Sequence, residues 1–124
     1  MLNGTMRAVL LVDQKQNTAG IIKTYLTADG YSVGHTPDPA EALEFAAQAQ
    51  YGVVITDLVL PGMTGFYLYR EIRSYDDRIQ FVFLLTPLGE ALRLMGTFER
   101  KDVINKEPLS MNKVIQKVRA AFHE

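Results

Sequence analysis

Val53-Val54-Ile55-Thr56-Asp57-Leu58-Val59-Leu60-Pro61-Gly62-Met63-Thr64-Gly65 carries the clearest architectural signal in the chain. A short run rich in β-branched residues breaks abruptly into a Pro/Gly loop, which reads as a buried strand and its exit. Asp57 therefore stands at the strand's carboxyl end, where open α/β sheets place their sites. A second acid, Asp13, closes another apolar run, Ala8-Val9-Leu10-Leu11-Val12, and Thr86 and Lys106 close two more. One such acid could simply cap the next helix or loop. Two carboxylates, a hydroxyl and an ammonium at four strand ends instead suit a phosphorylated aspartate.

Strand and helix patterns alternate five times, which predicts a parallel sheet with helices on both faces. The predicted strands are 8–12, 31–35, 53–56, 81–85 and 102–105. The predicted helices are 17–28, ended by Asp29-Gly30; 39–49; 66–74; a short one at 90–95, bracketed by Gly89 and Gly96; and 111–122. Asp38-Pro39-Ala40-Glu41 carries an N-cap acid, a proline at the first helical position and a capping-box glutamate.

Composition narrows the class. The chain has 124 residues, enough for one domain spanning 1–124, and its last helical pattern runs so close to residue 124 that excision from a longer protein is expected. Hydrophobic residues make up 48% and charged residues 22%, so the chain is globular rather than disordered. A formal net charge of −1 lacks the electrostatic footprint of a nucleic-acid-binding domain. There is no cysteine for a disulfide or a thiolate metal site, and no apolar stretch approaches a membrane span. The expectation is a soluble cytoplasmic domain.

From residue 8 to residue 122 the chain resembles a response-regulator receiver domain. The most specific likeness is Asp57 to Gly65, which follows the family's D-x-x-(M/L)-P-x-M-x-G loop after the phosphoacceptor. Leu11-Val12-Asp13, Leu84-Leu85-Thr86 and Lys106 add to it. The resemblance implies a doubly wound (βα)5 α/β fold, flavodoxin-like, with strand order 2-1-3-4-5. It implies that Asp57 accepts a phosphoryl group, with Thr86 and Lys106 binding it, and that Asp13, Asp57 and the backbone carbonyl of Val59 hold Mg2+. The implied partners are a histidine kinase or phosphotransfer protein and an output domain or protein, with a homodimer through the fourth helix, fifth strand and last helix. The implied role is signalling rather than enzymatic.

Four departures cluster at the implied site. Gln14 replaces the second of two consecutive acids, and losing a unit charge about 4 Å from a cation removes roughly 1–4 kcal/mol per unit of cation charge. Weak Mg2+ binding is expected. Pro87 removes a backbone N–H that would otherwise reach the phosphoryl group. Glu107 intervenes between Lys106 and Pro108, and Val103 replaces an aromatic switch residue. These departures support an alternative, a phosphorylation-independent pseudo-receiver acting as an interaction module. A haloacid-dehalogenase-type phosphatase would need an acid where Val59 stands, and a flavin carrier would need a phosphate loop after the first strand. His35 and His123 lie far apart with no companion at ligand spacing, and Phe66, Tyr67 and Tyr69 read as helix packing and surface.

Overall fold

In the computed structural model, residues 7–48, 51–86, 103–106 and 108–123 are described. The elements, in chain order, are β1 (Ala8–Val12), α1 (Gln16–Ala28), β2 (Ser32–Thr36), α2 (Pro39–Gln48), β3 (Val53–Asp57), β4 (Val59–Leu60), β5 (Met63–Thr64), α3 (Gly65–Tyr75), β6 (Gln80–Leu85), β7 (Val103–Asn105) and α4 (Met111–Ala121). The sheet runs β2-β1-β3-β6-β7, every pairing parallel. With the small β4–β5 hairpin set apart, this is the expected order, and the fold is flavodoxin-like α/β. The helix predicted at 90–95 lies outside the described residues.

Side chains alternate across the strands, so two cores form. Val9, Leu11, Val53, Ile55, Val82 and Leu84 pack against Ile22 and Leu26 of α1 and Val114 and Val118 of α4. Leu10, Val12, Val54, Phe81 and Phe83 pack against Ala42 and Ala46 of α2 and Leu68 and Ile72 of α3. Burial on both faces explains why β3 and β6 read as unbroken apolar runs. Phe66 and Tyr69 belong to the second core, with the Tyr69 ring edge-on to Phe81 at 5.0 Å, whereas Tyr67 is exposed.

β2 begins one residue later than its apolar pattern suggests, and the cause is the cap of α1. Gly30 takes a φ of +97°, its N–H donates to the Thr27 carbonyl, and the Tyr31 N–H donates to that of Leu26. This is a Schellman closure, and the ladder starts only after it, at Ser32, whose N–H donates to the Arg7 carbonyl at 3.0 Å. The capping box of α2 is also rearranged. Asp38 Oδ1 accepts from the Ala40 N–H as expected of an N-cap, but Glu41 accepts from Thr36 Oγ1 at 2.6 Å, and Thr36 Oγ1 accepts from the Asp38 N–H.

Candidate phosphoacceptor site

The loop after Asp57 is shaped by four residues. Pro61-Gly62 joins β4 to β5, with Gly62 at φ +75°, a value that glycine adopts without strain. Thr64 caps α3 by accepting from the Tyr67 N–H at 3.1 Å. Gly65 lies so close to the Asp57 carbonyl oxygen that a Cβ would collide with it, and its own N–H donates to the Leu58 carbonyl at 2.8 Å. The loop thus folds straight back over the strand end and fixes the Asp57 backbone.

Three of the four predicted residues meet there. Lys106 Nζ donates to Asp13 Oδ1 at 2.8 Å and to both oxygens of Asp57, at 2.9 and 3.1 Å. All three side chains are buried. The Lys106 backbone is anchored by its N–H to the Leu85 carbonyl at 2.8 Å and by a bridge to Leu109. Thr86 follows Leu85 at the same edge and is half-buried. Val59 opens β4 two residues beyond Asp57, also half-buried.

Burial and the neighbouring Asp13 charge push the Asp57 carboxyl up to about 7, against the opposing hydrogen bond from Lys106. For Lys106, burial works against the ammonium, but its bonds to Asp13 and Asp57 outweigh this and hold its pKa above the ordinary value. With all three groups ionised the cluster carries one excess negative charge, and it attracts cations.

Asp13 shows where a cation could enter. Its Oδ1 accepts from Lys106 and from the Lys15 N–H at 2.8 Å, while its buried Oδ2 has no hydrogen-bond partner. A buried carboxylate oxygen without a partner is costly unless something binds it. Among the described residues no three His, Cys, Asp or Glu side chains converge as a metal cage. Two carboxylates, a backbone carbonyl and water suit Mg2+, which keeps much of its hydration shell. Gln14 is exposed beside this pair.

The family pattern of the response regulator receiver domain matches residues 9–119. The chain belongs to that family. Receiver domains are signalling domains of two-component systems. A probable transcriptional regulator, ycf27 of Guillardia theta, is 32% identical over 119 residues, covering 95% of this chain and 46% of its own. ResD of Bacillus subtilis, a transcriptional regulatory protein, is 27% identical over 113 residues, 90% of this chain and 46% of its own. The chain thus spans about half the length of the curated relatives it matches. Among solved structures, the chemotaxis response regulator CheY4 of Vibrio cholerae superposes with a TM-score of 0.80 at 26% identity, covering 94% of this receiver domain and 99% of that chain. No described helix is long and apolar enough to cross a membrane.

Sequence reasoning passed over one residue at this site. His35 Nε2 lies 2.9 Å from the Asp13 carbonyl oxygen. Strand pairing alone could have suggested it, because residue 35 ends the predicted neighbour of the strand that carries Asp13.

Proposed function

We propose that this receiver domain accepts a phosphoryl group on Asp57 from a phosphohistidine of a kinase or phosphotransfer protein. The observation that carries the reading is Asp57 held by Lys106 at a strand end beside the partnerless oxygen of Asp13. A carboxylate oxygen of Asp57 attacks phosphorus, the P–N bond of the donor breaks, and its electron pair leaves with a neutral imidazole whose other ring nitrogen already carries the proton. Lys106 can follow the negative charge from the carboxylate to the phosphoryl oxygens, and the Thr86 hydroxyl can bond one of them. Asp13, Asp57 and the Val59 carbonyl would hold Mg2+, whose positive charge would offset repulsion between nucleophile and phosphoryl group.

The output is a change in affinity for an appended domain, a protein partner or a second copy through the β7 and α4 side of the sheet. Val103 is half-buried at the start of β7 and, being β-branched, is stiff at χ1. Phosphorylation should therefore shift that affinity only by about tenfold, or about 1.4 kcal/mol.

Weighing the intact protein after incubation with a small-molecule phosphodonor and Mg2+ tests acceptance. One added phosphoryl group in the wild type and none in Asp57→Asn is the expected result. No gain in the wild type would favour the phosphorylation-independent module that Gln14 motivates.

A further inference from the structure

At the carboxyl edge of β1 the sheet runs out before the site does. Val12 pairs with Thr36, and the Asp13 N–H still reaches the Thr36 carbonyl at 3.3 Å. The next bond of the ladder would bring the residue-38 N–H to the Asp13 carbonyl. That N–H is taken instead by Thr36 Oγ1, as the chain turns away into α2. The Asp13 carbonyl is thereby left to the His35 side chain, which fills the missing rung at 2.9 Å. Because the partner is a carbonyl, Nε2 must be the protonated nitrogen.

We propose that His35 is a positioning residue: by holding the Asp13 carbonyl it fixes the turn that aims the Asp13 carboxylate at Lys106 and at the incoming cation. The proposal rests on the reading of Asp13 and Asp57 as the acids of a phosphoacceptor site. Asp13 has three sets of bonds, and each constrains a different part of it. Its N–H is tied to β2 through Thr36, its Oδ1 to Lys106 and Lys15, and its carbonyl to His35. Without the last, the peptide between residues 13 and 14 is free to rotate, and the Lys15 N–H that steadies Oδ1 rotates with it. Thr36 and Glu41 are engaged with each other at 2.6 Å, so they leave His35 to this task.

Glutamine can present its side-chain amide at about the reach of Nε2; asparagine is too short. His35→Gln and His35→Asn are therefore a matched polar pair, and thermal melts establish that both fold. The first readout is the 15N signal of the Lys106 ammonium, which needs neither metal nor phosphate. It should keep its wild-type position and its protection from exchange in His35→Gln and lose both in His35→Asn. The second is Mg2+ affinity from amide shifts, expected to fall about tenfold in His35→Asn, as outer-shell losses typically do, and to stay within about twofold in His35→Gln. Identical behaviour of the two variants, or a wild-type ammonium signal in both, overturns the proposal. A wild type that takes no phosphoryl group would sink the phosphoacceptor reading while leaving the ammonium signal to decide the role of His35.

Discussion

Lys106 and Asp57 form a two-pronged pair, the ammonium lying 2.9 Å from one carboxylate oxygen and 3.1 Å from the other. The same ammonium serves Asp13, so one cation compensates two buried acids. Removing it leaves like charges facing each other out of water. Lys106→Met should lower stability at pH 8 by about 3–5 kcal/mol. The loss should be smaller at pH 5, where Asp57 takes up a proton. Mg2+ should raise the melting temperature of the variant more than that of the wild type, because it replaces the missing cation. Equal Mg2+ effects on the two proteins would contradict this account.

Asp57 itself works against the fold when ionised. Its carboxyl is raised from an ordinary 3.8 to about 7, first by burial and then by Asp13. An acid raised on folding binds more protons in the folded state between those two values. Stability therefore falls as pH climbs from about 4 to about 7, and the full cost is present above that. The span corresponds to an upper bound of about 4 kcal/mol. Asp57→Asn, which keeps an oxygen for Lys106, should melt higher than the wild type at pH 8, with the gap closing toward pH 4. A variant that melts lower at pH 8 would show that Lys106 outweighs burial.

Gly65→Ala tests the loop. The added methyl meets the Asp57 carbonyl oxygen, which is backbone and cannot swing aside. A cost of about 1–3 kcal/mol is expected, typical of overpacking. Phosphoryl acceptance should drop more than the melting curve alone explains, since the displaced backbone carries the proposed nucleophile. Unchanged acceptance rates would mean that α3 gives way instead.

Gln14→Asp should tighten Mg2+ binding by about tenfold, or about 1.4 kcal/mol, by restoring a charge next to Asp13. Titrating both proteins with Mg2+ decides it. No gain would place residue 14 too far from the cation.

Much of this was legible in the sequence because it depends on local patterns. The apolar run of β1 predicts the bounds the structure gives, and the apolar β3 and β6 differ from their predicted ranges by a single residue. The Asp38 cap of α2 also follows from residues next to one another. Most of the rest depends on contacts between elements. The β4–β5 hairpin has two residues per strand, too few to show a period, so 59–64 read as plain loop. Tyr31 falls within the predicted strand because its apolar pattern continues into Val33, whereas its amide closes α1 on the Leu26 carbonyl, a local bond that Asp29-Gly30 signals. Lys106 could be suspected from its place after an apolar run. Its double attachment to Asp13 and Asp57, and the His35 bond to the Asp13 carbonyl, exist only once strands distant in sequence lie side by side.

The bond between Lys106 and Asp13 spans 93 positions of the chain, and that between Lys106 and Asp57 spans 49. A chain emerging from the ribosome acquires both acids long before it acquires their shared cation. Contacts so distant in sequence form late, since closing long loops is entropically costly. Until β7 docks beside β6, a nascent sheet holds two adjacent carboxylates with no ammonium between them. Docking of β7 is thus drawn in by electrostatics as well as by burial of Ile104. The Asp13–Lys106–Asp57 cluster cannot close before β7 is in place, so the phosphoacceptor role proposed for Asp57 would wait on that docking.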